Sequence, residues 1–151
     1  MSRERLHLTV AAVVFYNGKF LFVEERDKVS GKLVLNQPAG HVEQDEDLIS
    51  AVKRELFEET GLTLSPSGWL GISQLKALNG HQYVRVNFVF EPEQLPAQFA
   101  PQDSDILALH WLNPTELQDN SLPARSKLVT DAIDCYTCGI KLPLSLIQLR
   151  A

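Results

Sequence analysis

No apolar run in the sequence approaches the roughly 20 residues that a membrane-crossing helix needs. The first residues, MSRERLHLTV, lack the apolar h-region and the small-residue cleavage site of a secretory signal peptide. These absences point to a soluble, cytoplasmic protein with no membrane partner. Basic residues are outnumbered, 14 Lys and Arg against 19 Asp and Glu, which gives a net charge of −5 and a pI of about 5.3. Wrapping a nucleic-acid backbone needs clustered Lys and Arg, so no nucleic-acid polymer is expected as a partner. The same acidity makes the chain an awkward host for a phosphorylated ligand unless a cation bridges the two. Cysteine is nearly absent: Cys135 and Cys138, in CYTC, are the only two. No second CxxC and no spaced His pair completes four zinc ligands. A redox CxxC usually sits at a helix N-terminus, where the dipole stabilises thiolate, and this one falls at a helix end. Two ordinary thiols on a terminal helix are expected. Internal repeats, low-complexity tracts and interdomain linkers are also missing.

What remains is ordinary globular usage, 44% hydrophobic and 22% charged. The 151 residues suit a single domain, 1–151, with a core that needs no disulfides. His7 to Tyr16 reads as a buried strand, and Asn17-Gly18 is a strong hairpin signal leading into the return strand KFLFVEE. A polar loop, Arg26 to Lys32, precedes a short strand in LVLNQPAG that Pro38 stops. Asp45 to Thr60 is the clearest helix, with Asp45 as N-cap, acidic residues in its first turn and Gly61 as a left-handed C-cap. Leu48, Ile49, Val52 and Leu56 share one side of it. Strands follow in GWLGISQLKAL and QYVRVNFVFE, joined by a turn at Asn79-Gly80. In the second, Val84, Val86, Phe88 and Phe90 point one way. Glu91 to Asp105 is a loop whose length hints at function. ILALHWL is a further strand, with Trp111 expected in the core. A short helix opens at Asn113-Pro114, and Arg125 to Cys138 forms the last helix. Hairpins interleaved with helices predict an α/β sandwich with a mixed sheet.

Glu55, Glu58 and Glu59 are the unusual feature, because residues three and four apart share a helix side and like charges there repel. With Leu48 at zero, Val52 and Leu56 lie near ~40° and ~80°, and Glu55 and Glu59 near about −20° and ~20°. Glu59 therefore falls within the edge of the apolar stripe and Glu58 further outside it. A solvated acidic face is the alternative. Carboxylates bordering a core are instead what a hard cation such as Mg²⁺ takes as ligands while keeping phosphate and water as the others.

The stretch from Gly40 to Leu62 reads Gly40, five residues, Glu46, seven residues, then Arg54-Glu55-Leu56-Phe57-Glu58-Glu59-Thr60-Gly61-Leu62. It resembles a complete Nudix box, covering 23 residues and matching all nine fixed positions. The resemblance implies a Nudix-type α/β/α sandwich and Mg²⁺-dependent hydrolysis, with Mn²⁺ as a possible substitute, of a nucleoside diphosphate linked to another group. It implies Glu55, Glu58 and Glu59 as metal ligands, joined by the backbone carbonyl of Ala39. Glu46 and Arg54 would pair, Arg54 bracing the acidic cluster, and Gly40 would let the loop–helix junction turn tightly. An acidic residue of the long loop would serve as general base or extra ligand. Asp105 is the first candidate for the base, Asp103 competes, and one of the box glutamates is the alternative.

NQPAGH stands where many relatives carry Pro-Gly-Gly, which leaves the Ala39 carbonyl in place. Together with SDI and the later HW, it is similar to a branch of small bacterial Nudix phosphatases. That branch acts on nucleoside tri- and diphosphates and on hydroxymethylpyrimidine pyrophosphate, a thiamine precursor. For the phosphorylated small-molecule substrate, Asn36 and Gln37 offer amides to read a ring, or are plain edge-strand residues. Arg85 offers a phosphate grip, or is a solvent-facing arginine on the polar side of its strand. Tyr83 offers a stacking ring, and His41 a phosphate contact. ADP-ribose, dinucleotide polyphosphates and oxidised nucleotides are rival substrates, and a non-catalytic Nudix-fold binding module is the rival of another class. Monomer and homodimer both remain open.

Overall fold

The computed structural model describes residues 3–150. Two strands open the fold, β1 (Leu6–Tyr16) and β2 (Lys19–Arg26). Asn17 and Gly18 join them at φ 52° and 80°, the left-handed pair that a two-residue hairpin turn of this twist requires. The hairpin lasts only for Phe15 opposite Phe20 and Tyr16 opposite Lys19. Beyond that the strands part and each becomes the centre of its own layer.

β1 is flanked by β4 (Ala39–His41), antiparallel, and by β6 (Gln82–Phe90), parallel, with β5 (Gly68–Lys76) on the outer side of β6. β2 runs antiparallel between β3 (Leu33–Asn36) and β7 (Ile106–Leu112). The result is the expected mixed sheet. Helix α1 (Leu48–Thr60) packs on β1 and β4, helix α3 (Lys127–Thr137) packs on β5, and a short α2 (Pro114–Asp119) follows β7. A 3₁₀ turn, Leu144–Leu146, lies near the C-terminus.

Alternation along β1 divides the core between two faces. Val10, Ala12 and Val14 meet Val52 and Leu56 of α1 together with Val86, Phe88 and Phe90. Val13 turns the other way, to Phe20, Phe22 and the α3 residues Val129, Ala132 and Ile133. The expected Val86, Phe88 and Phe90 face is therefore present. The opposite face of β6 is not solvated, however: Arg85, Asn87 and Val89 are buried as well. A strand covered on both sides cannot show its burial by alternation alone. Trp111 is half-buried at the margin of the α1-side core rather than inside it.

Helix boundaries needed two corrections. α1 begins at Leu48, and its N-cap is Asp47, whose Oδ1 accepts the Ser50 N–H at 2.8 Å. Asp45 sits before it in a turn at φ 65°, and no acidic side chain occupies the first helical turn. Asp47→Ala is accordingly expected to cost about 1 kcal/mol in urea unfolding, and Asp45→Gly nothing, since glycine adopts that φ freely. α3 starts at Lys127 after a Ser126 cap, so Arg125 stays outside the helix. Asn113 and Glu116 form a reciprocal capping box on α2. Cys138 is the C-cap of α3, and both cysteines are free thiols.

Candidate functional site

The site forms where the C-terminal half of α1 meets β4. Pro38 and Val42 bond to β1 on either side of the Val10–Gly40 pair. Ala39 between them is turned away from β1, and its N–H donates to Glu59 Oε1 at 2.8 Å. The N–H and C=O of one strand residue point the same way, so the Ala39 carbonyl also faces the acidic helix. Glu59 is only 8% exposed. Burial pushes its pKa up to about 9, the Ala39 N–H offsetting this in part while the charges of Glu25, Glu55 and Asp103 add to it. Burial likewise raises Glu55, against the pull of Arg54.

Arg54 organises the rest. Its Nε and Nη2 take the two oxygens of Glu46 at 2.7 and 2.9 Å, and its Nη1 reaches Glu55 at 2.8 Å and Glu58 at 3.3 Å. Nη2 also donates to the His41 carbonyl at 3.1 Å. This fork, first through its bonds to Glu46, drives the guanidinium pKa further up. Glu58 is the outermost of the three glutamates, its side chain 46% exposed. Gly40 shapes the opposite wall. A Cβ there would stand 2.2 Å from Glu55 Cδ, so only glycine lets the carboxylate lie against β4.

Among the described residues, no three Asp, Glu, His or Cys side chains converge closely enough to cage a metal as they stand. Arg54 draws Glu55 and Glu58 to itself, and Glu59 leans on Ala39. The donor set nevertheless suits a hard divalent cation: three carboxylates and one peptide carbonyl, all oxygen, within one turn of helix and one strand residue. The two carboxylates with raised pKa values are those most relieved by a nearby positive charge.

The long loop approaches through its backbone. The Gln102 and Asp103 N–H groups both donate to the Glu58 carbonyl at 2.9 Å. This places Asp103 where its charge acts on Glu59. Asp105 is exposed, and its N–H caps Asp103 Oδ1 at 2.9 Å. Of the two candidates the fold brings Asp103, not Asp105, to the acidic cluster.

The remaining candidates divide. Arg85 is not solvent-facing but 6% exposed, its Nη2 donating to Asn36 Oδ1 at 3.0 Å and Gln37 Oε1 at 2.7 Å. Asn36 and Gln37 are buried with it and are not free edge residues. Tyr83 lies parallel to the His7 ring with centroids 4.6 Å apart, so its stacking partner is a protein side chain. His41 is exposed, and its Nε2 meets His7 Nδ1 at 2.9 Å. Three residues at the site escaped the sequence: His7, Glu25 and Arg125. Glu25 Oε1 accepts from both Asn36 Nδ2 and Arg125 Nη1 at 3.0 Å. No spacing rule announces a contact across 100 residues.

Comparison with known proteins follows the same lines. The NUDIX domain family model matches residues 5–132. Over 143 residues, 93% of this chain and 90% of the relative, the sequence is 45% identical to the phosphatase NudJ of Escherichia coli K12. A solved NUDIX hydrolase from Nitrosomonas europaea shares 33% identity and a TM-score of 0.86 over 95% of this chain and 97% of that one. A bifunctional NMN adenylyltransferase/ADP ribose pyrophosphatase from Francisella tularensis, complexed with AMP and a manganese ion, is alike in fold alone. Its TM-score is 0.65 at 24% identity, over 88% of this chain and 42% of that one. Among the described residues no helix is long and apolar enough to cross a membrane.

Proposed function

Because this chain belongs to the Nudix family, and is a Nudix hydrolase, we propose that it removes orthophosphate from nucleoside tri- and diphosphates or from a pyrimidine pyrophosphate such as hydroxymethylpyrimidine pyrophosphate. It would do so in the cytoplasm, with Mg²⁺ held by Glu55, Glu58, Glu59 and the Ala39 carbonyl. Mn²⁺ would substitute, in keeping with the manganese in the Francisella fold neighbour. The observation that carries this function is Glu59: a buried carboxylate, surrounded by further carboxylates and, among the described residues, held only by the Ala39 N–H, calls for a cation. The 45% identity to a phosphatase over nearly the whole chain favours orthophosphate release.

Bound Mg²⁺ would neutralise phosphate charge and acidify the attacking water. The chain's own groups do the rest. Arg54 keeps Glu55 and Glu58 together against their repulsion, binding one oxygen of each. Asp103, fixed through its N–H to Glu58, takes the proton of the attacking water, the role first assigned to Asp105. Asp103→Asn should lower kcat about 10²-fold, as loss of a general base does. Asp105→Asn should stay within about twofold, since surface changes away from the site do little. Steady-state kinetics on one nucleotide checks both.

Product analysis with Mg²⁺ tests the function itself. The panel is nucleoside tri- and diphosphates, hydroxymethylpyrimidine pyrophosphate and ADP-ribose, with orthophosphate and pyrophosphate quantified separately. Orthophosphate from the first three is expected. AMP and ribose phosphate from ADP-ribose alone would replace the phosphatase assignment with a pyrophosphatase one, and no turnover of any substrate would defeat it.

A further inference from the structure

We propose that Arg85, oriented by Asn36 and Gln37, grips an oxygen acceptor of the substrate, so that the two amides position a guanidinium instead of reading the ligand themselves. The inference rests on the hydrolase function above and names a specificity element within it.

Both amides have their oxygen and one N–H engaged inside the protein. Gln37 is 1% exposed, gives one Nε2 hydrogen to the Val129 carbonyl at 2.9 Å and offers Oε1 to Arg85. Asn36 gives Nδ2 to Glu25 and offers Oδ1 to Arg85. The direction of each bond fixes which end of each amide is oxygen, because Val129 and Glu25 present acceptors only. Both amide oxygens therefore converge on one nitrogen, Arg85 Nη2.

The other side of the guanidinium is under-used. Arg85 Nε is buried without a hydrogen-bond partner. Among the described residues Arg85 makes no ion pair, whereas Arg54 and Arg125 do. A buried cation facing only neutral oxygens is costly, and so is an unfilled buried donor. Burial lowers its pKa to about 10, which still leaves it charged at neutral pH. The charges of Glu25 and Glu59 act on it, so it stands beside the acidic cluster rather than in a separate region. An incoming oxygen would fill the donor and balance the charge together. Nε is sealed without substrate, so the contact forms as the substrate displaces the packing around it. A non-bridging phosphate oxygen and a ring carbonyl of a base share this chemistry, and a planar guanidinium suits either.

The test compares the full-length wild type with Arg85→Met and Gln37→Ala. It measures kcat and KM with Mg²⁺ on GTP and on inorganic tripolyphosphate, the melting temperature, and calorimetric binding of GTP. Arg85→Met should raise KM roughly 30-fold, the weight of a hydrogen bond to a charged group. It should leave kcat within about threefold, and it should lower the melting temperature by a few degrees, because the buried Asn36 and Gln37 oxygens lose their donor. Gln37→Ala, which frees the guanidinium without removing it, should raise KM about tenfold. A loss on both substrates identifies a phosphate oxygen; a loss on GTP alone identifies the ring carbonyl. Unchanged KM in Gln37→Ala and Arg85→Met would overturn the proposal, as would a loss of activity that appears only at temperatures where the variant is unfolding. If Arg85→Met does not fold, Gln37→Ala decides by KM. If the wild type turns over neither substrate, the hydrolase function fails, and the affinity for GTP of wild type against Gln37→Ala then decides this proposal separately.

Discussion

Glu59→Gln is expected to lower turnover about 10³-fold, the scale on which removal of a preorganised electrostatic group is felt, while leaving the metal-free protein at least as stable. The two effects have one cause. Glu59 is nearly enclosed, and burial together with the neighbouring carboxylates lifts its pKa from the usual 4.5 to about 9. Between those two pH values the folded protein keeps a proton that the unfolded chain has lost. The stability that this contributes is whole below about pH 4.5 and declines as pH rises toward about 9. Metal-free wild type should therefore melt at lower temperature at pH 8.5 than at pH 5.5, and Glu59→Gln should flatten that slope. A glutamine also keeps an oxygen for the Ala39 N–H, so the local bond survives. Mg²⁺ should raise the wild-type melting temperature, more so at higher pH, because it binds the ionised carboxylate. In the variant the Mg²⁺ shift should shrink sharply. Thermal melts across pH with and without Mg²⁺, beside kinetics, check all of this. A variant with full turnover and an intact fold would remove Glu59 from the metal site.

Gly40→Ala is the second large effect, about 10²–10³-fold in turnover, and it works through space alone. Gly40 does not occupy the left-handed region, so an alanine meets no backbone penalty there. Its Cβ would instead lie 2.2 to 2.4 Å from Cδ and both oxygens of Glu55. The carboxylate is the far end of a flexible side chain and can swing away, so the fold yields cheaply and the site does not. Glu55 would then leave both Arg54 and the position from which a cation is held. The signature is a large fall in kcat/KM and in Mg²⁺ affinity with a melting temperature within a few degrees of wild type. Loss of stability in step with activity would mean that Gly40 serves the backbone after all.

Glu59 was legible because its geometry is local, whereas Gly40, expected for a tight turn, lies in β4 and is needed for the room it leaves the Glu55 carboxylate. Helical spacing alone placed Glu59 against the core and Glu58 outside, whereas the pairing of Arg54 with Glu46, which lies before the helix, came with the family resemblance. The Asn17-Gly18 turn was equally local, but nothing in it foretold that β1 and β2 separate after two pairs. Asp45 and Asp47 look alike as caps; only the backbone at φ 65° decides against the first. The solvent-facing alternative for Arg85 failed because a strand covered on both faces shows a polar residue where solvent would be expected. Its partners Asn36 and Gln37 lie 49 and 48 residues away. The sequence put Asp105 ahead of Asp103; the proposal reverses that order because the Gln102 and Asp103 N–H groups find the Glu58 carbonyl, a contact no spacing foretells.

Those two N–H groups bear on the timescale of turnover. The Glu58 carbonyl lies at the C-terminal end of α1, where carbonyls lack helical partners, and Gln102 and Asp103 supply them. The loop also presses its Ala100 backbone against Gly61, where a Cβ would come within 2.3 Å of the Ala100 oxygen. Leu95 and Phe99 anchor its near side on the core. Swinging Asp103 outward would uncap the helix that bears the glutamates. The segment is thus a wall and not a lid, and its own closure is not a step between binding and chemistry. Turnover in viscous sucrose or glycerol solutions should then slow only as far as substrate arrival and product departure are themselves diffusive.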